Sequence, residues 1–395
     1  MSDTFCILPW IHIYANADGS VLPCCIGDHH MHMGNVRDNT IEEILNGSKY
    51  KEMRSKMLRG ERCKECSACY RNEDVGNTSF RQSMNQQFKN YISDAKKINS
   101  DGYLTDIKLR YLDVRWSNIC NFKCRSCSST YSSTWAQEDN AHGKKKPIHI
   151  FAGGDDNDKL YEQFKPYFKS IETFYFAGGE PLLTDKHYEI LEYLISINRT
   201  NVDIDYNTNL SNLKYKNKSV LKLWKNFRRV GIGASLDSWG ERAEYIREGT
   251  DWSVIESNIK QIKKDCHNVE MHSSSVISVF NVSTIPEFLD SLYDNNLFDK
   301  QTHRPQFYNI IHPHFYSFNV LPSDLKDKTI DKLLSNKEKY NKHVKHEIEK
   351  VISQLKNSNY NVELAKQFKD NTLYYDKIRN RNFVDTFPEL KEIIL

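Results

Sequence analysis

Three closely spaced cysteines are the residues of this chain whose type and spacing point most directly to chemistry. Cys120, Cys124 and Cys127 lie in the segment SNICNFKCRSC, which follows the apolar run of residues 109–115. Thiolate sulfur is a soft ligand that selects zinc or iron-sulfur clusters over hard cations. A structural zinc site is closed by four ligands, and neither flank supplies a fourth Cys or a paired His at ligand spacing. A four-iron, four-sulfur cluster held by only three cysteines would leave one iron open for reaction.

The CxxxCxxC spacing of these cysteines resembles the signature of the radical S-adenosylmethionine (radical SAM) superfamily. The resemblance implies an enzyme with a catalytic [4Fe-4S] cluster on Cys120, Cys124 and Cys127 and with S-adenosylmethionine (SAM) as cofactor. It also implies an α/β fold, the partial (β/α)6 TIM-type barrel of that superfamily. In such folds the reaction sites lie at the carboxyl ends of the parallel strands.

A glycine pair and a glutamate follow the next predicted strand. Residues 171–177 end in Gly178-Gly179-Glu180-Pro181. Paired glycines at a strand end allow a close backbone approach that a side chain would block. The tetrapeptide resembles the GGEP motif that binds the amino group of SAM in this superfamily, so Gly178, Gly179 and Glu180 are predicted cofactor-binding residues.

Four further residues resemble the superfamily's SAM contacts. Asn209 ends the segment Asn-Thr-Asn, which resembles a Thr-Asn-Gly element, although Leu210 replaces the usual glycine. Ser235 and Arg247 have the spacing with which anaerobic sulfatase-maturating enzymes and their relatives hold the SAM carboxylate and ribose. A guanidinium suits this role because its planar fork matches a carboxylate. Asp237 is predicted either to bond the ribose or to cap the helix that follows.

Two points about this cofactor site stay open. Arg247 has an alternative role as a surface ion-pair partner of Glu244 or Glu248. Many superfamily members place an aromatic residue before the third cysteine to contact adenine, whereas this chain has Ser126 there. The adenine contact must then come from elsewhere, and the sequence offers three sources: Phe122, Tyr131 and the strand of residues 276–280.

A second set of cysteines lies near the N-terminus. The order Cys, Gly-x4-Cys and later Cys-x2-Cys resembles the SPASM module and its shortened twitch form, which bind auxiliary iron-sulfur clusters. Six cysteines are too few to hold two full auxiliary clusters with protein ligands alone, which favours one cluster, expected to be [4Fe-4S]. The predicted ligands are Cys6, Cys24, Cys66 and Cys69, with Cys63 and Cys25 as alternates.

Two features of this second set qualify the resemblance. Most relatives carry the module at the C-terminal side, whereas here it precedes the barrel. A closed zinc site is the alternative, since Cys-x2-Cys pairs from separate segments also bind zinc. Nearby histidines are left out of the ligand set because histidines close to a glycine-rich turn more often face solvent: His12, His29, His30 and His32.

Composition narrows the class of protein and its partners. The chain of 395 residues has 55 basic and 52 acidic side chains and a net charge of +3, which gives no electrostatic case for a nucleic-acid partner. No segment has the uncharged apolar length of a membrane span, and the first residues do not read as an export signal. Nine of the ten cysteines fall in three groups and only Cys266 is isolated, a pattern that favours metal binding in a reducing cytoplasm.

The elements that must position these residues are predicted from hydrophobic periodicity. Apolar segments alternate with helical patterns, which indicates parallel βα units; the predicted strands are residues 107–115, 171–177, 202–207, 229–236, 270–280 and 306–311. One N-terminal helix is expected over residues 41–58, started by a Thr40–Glu43 capping box. A lysine-rich amphipathic helix is expected over residues 330–356. The predicted domains are a cysteine-rich module at 1–80, a linker at 81–104, the barrel at 105–320 and a helical extension at 321–395.

The predicted activity is reductive cleavage of SAM to a 5'-deoxyadenosyl radical that abstracts hydrogen from a substrate. A peptide or protein side chain is the predicted substrate, the auxiliary cluster assists, and an external one-electron reductant such as flavodoxin or ferredoxin supplies the electron. One alternative is the same chemistry on a sugar, nucleotide or amino acid, and another is a non-catalytic iron-sulfur or zinc scaffold. No residue is identified as a catalytic acid or base. Candidates for substrate contact, or equally for plain core and loop, are Tyr308, His312, His314 and Tyr316.

Overall fold

Short strands and helices follow one another along the chain in its computed structural model, which describes residues 4–28, 30–95, 97 and 101–394. The strands are β1 His12–Ala15, β2 Ser20–Leu22, β3 Gly34–Asn35, β4 Tyr111–Val114, β5 Lys123–Cys124, β6 Thr173–Phe176, β7 Asp203–Thr208, β8 Lys214–Tyr215, β9 Lys218–Ser219, β10 Arg229–Ser235, β11 Arg247–Glu248, β12 Val269–Ile277 and β13 Gln306–Asn309. The helices are α1 Leu8–Ile11, α2 Ile41–Leu45, α3 Ser48–Leu58, α4 Ser67–Asp74, α5 Phe80–Gln87, α6 Ile92–Ala95, α7 Ser133–Ala141, α8 Asn157–Phe164, α9 Asp185–Ser196, α10 Val220–Trp224, α11 Gly240–Ile246, α12 Trp252–Asp265, α13 Ile285–Asp294, α14 Ser323–Asn336, α15 Lys342–Asn357, α16 Val362–Arg379 and α17 Phe383–Thr386.

The six strands predicted for the barrel are all present, as β4, β6, β7, β10, β12 and β13, and the α/β fold class is confirmed. The strand pairing of the described residues does not close into a barrel. None of the helices in the described part of the chain combines the length and apolar character needed to cross a bilayer. His29 and residues 96 and 98–100 of the predicted linker lie outside the described residues, and helices α5 and α6 occupy much of the rest of that segment. The domain boundaries stay predictions.

The chain forms two compact units, each discontinuous in sequence. The first comprises Met1–Cys120, Lys145–Tyr206 and Lys222–Val230, and the second comprises Asn121–Lys144, Asn207–Leu221 and Gly231–Leu395. Strands β7 and β10 each begin in the first unit and end in the second.

In the first unit, β4 is flanked by parallel partners on both sides. β1 pairs with β4 with His12 opposite Tyr111, and β6 pairs with β4 with Thr173 opposite Tyr111. β6 in turn pairs in parallel with β7, whereas β1 continues into an antiparallel pair with β2. The segment that carries the N-terminal cysteines therefore shares one sheet with the strand that leads to the CxxxCxxC loop.

In the second unit, β12 and β13 pair in parallel with Ser274 opposite Gln306, and β5 and β11 form a short antiparallel pair. The C-terminal helices bury apolar side chains in the same core as β12 and α13. Phe280, Val344, Ile348 and Phe368 are all fully buried members of this core. The helical extension is thus packed by its hydrophobic face, as expected from its apolar periodicity.

Two predicted helices are each broken into two. The capping box of Thr40 and Glu43 is present, but α2 ends at Leu45 and α3 begins after Gly47, whose extended backbone serves as its N-cap. The lysine-rich segment breaks between α14 and α15 because the Asn341 side chain accepts hydrogen bonds from two backbone N–H groups of the new helix. A side-chain cap therefore outweighs the helical periodicity at Asn341, and the extended backbone of Gly47 interrupts the helix at the first break.

A buried arginine ties several segments of the first unit together. The Arg54 side chain is fully buried, and it donates from Nε to Gly102 O at 2.6 Å, from Nη1 to Pro9 O at 2.9 Å and from Nη2 to Leu45 O at 2.5 Å. Burial lowers the pKa of the guanidinium to about 10, which still leaves it charged at neutral pH. Hydrogen bonds from a charged donor contribute more than neutral ones.

Replacing Arg54 by Met should lower the free energy of unfolding by about 3 kcal/mol, because three buried carbonyl oxygens lose their donor. Urea unfolding followed by tryptophan fluorescence measures this change. Arg59→Met is the control, since the Arg59 side chain is 56% exposed and pairs with Glu61, and it should change the stability by less than about 1 kcal/mol. Equal losses in the two variants would contradict the assignment.

Candidate functional site

The second and third cysteines of the CxxxCxxC motif are held by backbone contacts within the second unit. Cys124 lies on β5 opposite Arg247 on β11. The indole of Trp135 donates to Cys124 O at 2.8 Å, and Cys127 N donates to the same oxygen at 3.0 Å. Burial and then the neighbouring Cys124 thiol raise the pKa of the Cys127 thiol to about 12. Thiols in this setting ionise when a cation binds them, as a cluster iron does.

The predicted SAM contact Arg247 has a buried carboxylate as its partner. Its Nε donates to Asp237 Oδ2 at 2.8 Å and its Nη2 to Asp237 Oδ1 at 3.0 Å, while its Nη1 lies 3.8 Å from the sulfur of Cys124. The alternative pairing with Glu244 or Glu248 is wrong. Glu248 pairs with Arg381, and Glu244 accepts a hydrogen bond from a backbone N–H. The fork of Arg247 is therefore fixed next to Cys124, a predicted cluster ligand.

Asp237 positions the Arg247 side chain and does not cap a helix. Its Oδ1 also accepts from Val276 N at 2.7 Å, and its carbonyl accepts from the amide of Asn281 at 2.8 Å. Helix α11 has Trp239 as its N-cap and no side-chain cap, so the alternative of Asp237 as a helix cap is wrong. A carboxylate with this many donors has a fixed position.

A small, partly open cavity in the second unit lies against these groups. Asn209, Ser235, Asp237 and Arg247 line it, so the structure brings together all four predicted SAM contacts that belong to this unit. Two aromatic side chains line it as well: Phe122 and Trp252. Of the three predicted adenine sources, only Phe122 lines this cavity, and Tyr131 is 38% exposed. Sequence reasoning missed Trp252, although its place at the start of α12, five residues after Arg247, was a usable signal.

Leu210 adopts a backbone conformation that glycine favours. Its φ is +56°, in the left-handed region that glycine adopts most easily. Thr208 Oγ1 accepts from Leu210 N at 3.1 Å, and Asn209 Oδ1 accepts from Ser211 N at 2.9 Å. These side-chain hydrogen bonds hold the turn with a leucine at this position.

The GGEP segment packs against the backbone just before Cys120 within the first unit. A Cβ added to Gly179 would lie 2.2 Å from Ile119 O, and Gly178 has φ +121°. Glu180 N donates to Ile119 O at 2.6 Å, and the buried Glu180 carboxylate accepts from Leu182 N at 3.1 Å. The glycines are thus required by close packing, and a small cavity beside them is lined by Glu180.

The N-terminal cysteines of the first unit come together from three segments. Burial is the main cause that raises the pKa of Cys24, followed by the neighbouring thiols of Cys25, Cys6 and Cys66. The pKa of Cys66 is likewise raised by burial and then by Cys6, Cys63 and Cys69. The four predicted ligands and both alternates therefore belong to one thiol group, in which Cys24, Cys25 and Cys66 are half-buried and the other three are buried. The choice among them stays a prediction.

A buried ion pair that sequence reasoning missed lies beside this thiol group. Arg81 is 5% exposed, and its guanidinium donates to Glu73 and to Phe5 O. Ser79 hydrogen-bonds to the same carboxylate. Burial raises the pKa of Cys69, and hydrogen bonds from the Arg81 backbone and the Ser79 side chain oppose this rise only in part. Glu73 and Arg81 are eight residues apart in the sequence, and this separation does not indicate an ion pair.

The donor chemistry of both thiol sets fits iron-sulfur clusters. No disulfide joins any of the ten cysteines, all of which lie in the described residues. Both sets are soft sulfur donors that are buried or half-buried, and cysteine thiolates of this kind hold such clusters. Among the described residues, no three Cys, His, Asp or Glu side chains are arranged to hold a single metal ion.

Replacing Asp237 by Asn should lower the free energy of unfolding by about 3 kcal/mol, because Arg247 would remain buried and charged without its counter-ion. Denaturant unfolding of the protein measures the change. Glu248→Gln is the matched control, since it removes the carboxylate from the more exposed pair with Arg381 and should cost at most about 1 kcal/mol. A loss in Asp237→Asn no larger than in the control would show that the buried pair does not stabilise this site.

Two family models match the chain. The model of the radical SAM superfamily matches residues 114–292, and the SPASM model, described as an iron-sulfur cluster-binding domain, matches residues 6–70. The first range contains the CxxxCxxC motif and every predicted SAM contact, and the second contains all six N-terminal cysteines. None of the curated proteins matches the chain in sequence.

The chain is also similar to several solved structures at low identity. One is anSMEcpe with bound AdoMet and a Cp18Cys peptide, with 19% identity, a TM-score of 0.40, and coverage of 58% of this chain and 60% of that one. Another is Streptococcus suis SuiB bound to the precursor peptide SuiA, with 13% identity, a TM-score of 0.36, and coverage of 86% and 68%. The chain spans about 60% of the length of anSMEcpe.

The family matches confirm the predicted superfamily and the predicted kinds of cofactor. A radical SAM domain uses SAM and a [4Fe-4S] cluster, and a SPASM domain binds auxiliary iron-sulfur clusters. The number of auxiliary clusters and the individual ligands stay predictions. The chain contains a radical SAM domain over residues 114–292, and a SPASM iron-sulfur cluster-binding domain over residues 6–70 precedes it.

Proposed function

We propose that this protein cleaves SAM reductively at a [4Fe-4S] cluster on Cys120, Cys124 and Cys127 and abstracts hydrogen from a peptide or protein side chain. When bound, the cluster supplies the electron that breaks the sulfonium bond of SAM and yields a 5'-deoxyadenosyl radical. The observation that carries the proposal is the fixed position of Arg247, whose Nη1 lies 3.8 Å from the Cys124 sulfur inside the matched radical SAM domain.

Arg247 is proposed to bind the carboxylate of SAM. Asp237 occupies two of its nitrogens, and the remaining Nη1 faces the cluster ligand Cys124. Asp237 and the Cys124 thiol raise the pKa of Arg247 and outweigh the opposing effect of burial, so the guanidinium stays charged. A guanidinium aligned in this way can donate to a carboxylate at the cluster without paying for its own ordering.

The other proposed SAM contacts rest on the resemblance of their segments to motifs of the radical SAM superfamily. Ser235 and Asn209 line the cavity beside Arg247 and are proposed to bind the ribose and neighbouring groups. Phe122 and Trp252, which line the same cavity, are proposed to cover the adenine with apolar surface. Gly178, Gly179 and Glu180 are proposed to meet the amino group of SAM, which suits the buried carboxylate of Glu180.

The substrate class is proposed from the SPASM match. Radical SAM enzymes with such auxiliary modules include enzymes that modify peptides, proteins and some small molecules, and we place this protein with the first two. The auxiliary cluster, proposed on Cys6, Cys24, Cys66 and Cys69, would accept an electron from the substrate radical or order the substrate. The same chemistry on a sugar, nucleotide or amino acid is the alternative, and flavodoxin or ferredoxin in the cytoplasm would be the electron donor.

Anaerobic reconstitution with iron and sulfide should load about eight irons per chain, with one EPR signal of the reduced protein shifting on addition of SAM. Cys124→Ala should lose about four irons, the SAM-dependent shift and 5'-deoxyadenosine formation, because it removes one of three ligands. Cys266→Ala is the matched control, since this buried cysteine belongs to neither thiol set, and it should retain all three properties.

Three results of this experiment would contradict parts of the proposal. A Cys124→Ala variant that still forms 5'-deoxyadenosine would refute the assignment of the catalytic cluster. About four irons in the wild type with a SAM-sensitive signal would leave the enzyme but make the N-terminal site zinc-bound or unfilled. Zinc as the bound metal, without any response to SAM, would support the alternative of a non-catalytic scaffold.

The substrate class is tested on the loaded wild-type protein. A mixture of random octapeptides should raise the rate of 5'-deoxyadenosine formation above the rate with SAM and reductant alone. A mixture of sugars, nucleosides and free amino acids at the same total concentration should not. Stimulation by the small molecules and not by the peptides would favour the metabolite alternative.

A further inference from the structure

The C-terminal helix α16 reaches the CxxxCxxC loop within the second unit. This helix lies outside the range matched by the radical SAM family model, which ends at residue 292. Arg125, which follows Cys124 directly, is only 2% exposed. Its Nη2 donates to Asp376 Oδ1 near the C-terminal end of α16 at 2.9 Å, across 251 residues of sequence. The loop therefore receives a charged partner from a distant segment.

Asp376 is held in place by two further donors. Tyr245 Oη donates to its Oδ1 at 2.5 Å, and Phe383 N donates to its Oδ2 at 2.6 Å. The guanidinium of Arg125 lies 4.1 Å from the centre of the Tyr245 ring, a distance that allows a cation–π contact. Because both charges are buried, each depends on the other for neutralisation. Asp376 is thus a fixed counter-ion of the loop.

The same helix holds the other neighbour of Cys124. Arg379 Nη1 donates to Lys123 O at 3.2 Å, and Arg379 Nη2 pairs with Glu138 Oε2 at 2.7 Å. Lys123 Nζ also pairs with Glu138, at 2.6 Å. The guanidinium lies 4.6 Å from the centre of the Trp135 ring, whose indole donates to Cys124 O. Residues on both sides of Cys124 are therefore fixed by α16.

We propose that α16 supports the cluster site by fixing the position of Cys124, with Asp376 and Arg379 as the positioning residues. Asp376 neutralises the Arg125 charge next to a cluster ligand, and Arg379 fixes the backbone on the other side of that ligand. The proposal deepens the proposed function and rests on its assignment of the catalytic cluster to this loop. It predicts that changes more than 80 residues beyond the matched domain alter the cluster that reacts with SAM, whereas the N-terminal thiol group keeps its cluster.

The charge on Asp376 has a consequence with a definite sign. Asp376→Asn removes one negative charge but keeps the size of the side chain, so the buried Arg125 charge is left uncompensated. A net positive charge near a cluster favours its reduced form, so the midpoint potential of the SAM-sensitive cluster should rise. Replacing Arg125 by Met in the same chain removes both charges and should return the potential towards the wild-type value.

The test uses the full-length protein reconstituted anaerobically, with iron analysis and EPR-monitored redox titration in the presence and absence of SAM. Asp376→Asn should lower the occupancy of the SAM-sensitive cluster at least twofold and raise its potential, with the other cluster signal unchanged. Arg379→Gln should lower the occupancy without raising the potential. The control is Glu389→Gln, which lies in the same C-terminal segment as Asp376 and loses its ion pair with Arg242. Its cluster occupancy and potential should match those of the wild type.

The results of this test support or overturn the role of α16. Wild-type occupancy and potential in both Asp376→Asn and Arg379→Gln would overturn the role of α16. If Asp376→Asn loses both clusters because it does not fold, Arg379→Gln decides: selective loss of the SAM-sensitive signal supports the role and full retention overturns it. A potential in the Arg125→Met, Asp376→Asn double variant as high as in the single variant would overturn the electrostatic part. A wild-type protein without any SAM-sensitive signal would instead refute the proposed function.

Discussion

The structure of the second unit depends on a buried ion pair, in which Asp237 compensates the positive charge of Arg247 beside Cys124. Arg247 can lie next to Cys124 only because Asp237 takes its fork, and Asp237 is itself fixed by donors from the strand β12 and the turn after it. β11 begins at Arg247 and pairs with β5, which carries Cys124. One ion pair thus links the cavity, the short strand pair and the sulfur. An exposed pair with the same geometry would contribute little, since water would screen it.

Much of the fold was predictable because its strands are short apolar segments with polar residues at their ends. β4, β6 and β10 each lead directly into a motif, so the residue type at the strand end revealed the candidate site. Helix breaks were harder to predict. The gap after Leu45 depends on the extended backbone of Gly47, and the gap after Asn336 depends on the Asn341 cap. The apolar periodicity continues across both gaps.

The partners of the site residues were not predictable, because spacing in sequence does not encode contacts across the fold. Asp237 was a candidate in its own right but not as the partner of Arg247, since the two flank helix α11. Asp376 lies 251 residues from Arg125 and carries no motif. Buried ion pairs of this kind are visible only once the chain has folded, whereas a ligand spacing such as CxxxCxxC is local and can be read directly.

The parallel pairing of β1 with β4 also sets an order of events during synthesis. His12 and Tyr111 are partners, so β1 must wait for about 100 further residues before the strand beside it exists. At ordinary translation rates of about 5–20 residues per second, that delay is about 5–20 s. Throughout this interval the N-terminal thiols are attached to a strand with an open edge, exposed to oxidation and to pairing with other chains. A cysteine module placed after the barrel would meet a finished sheet instead, so the N-terminal position makes early maturation depend on protection of nascent thiols.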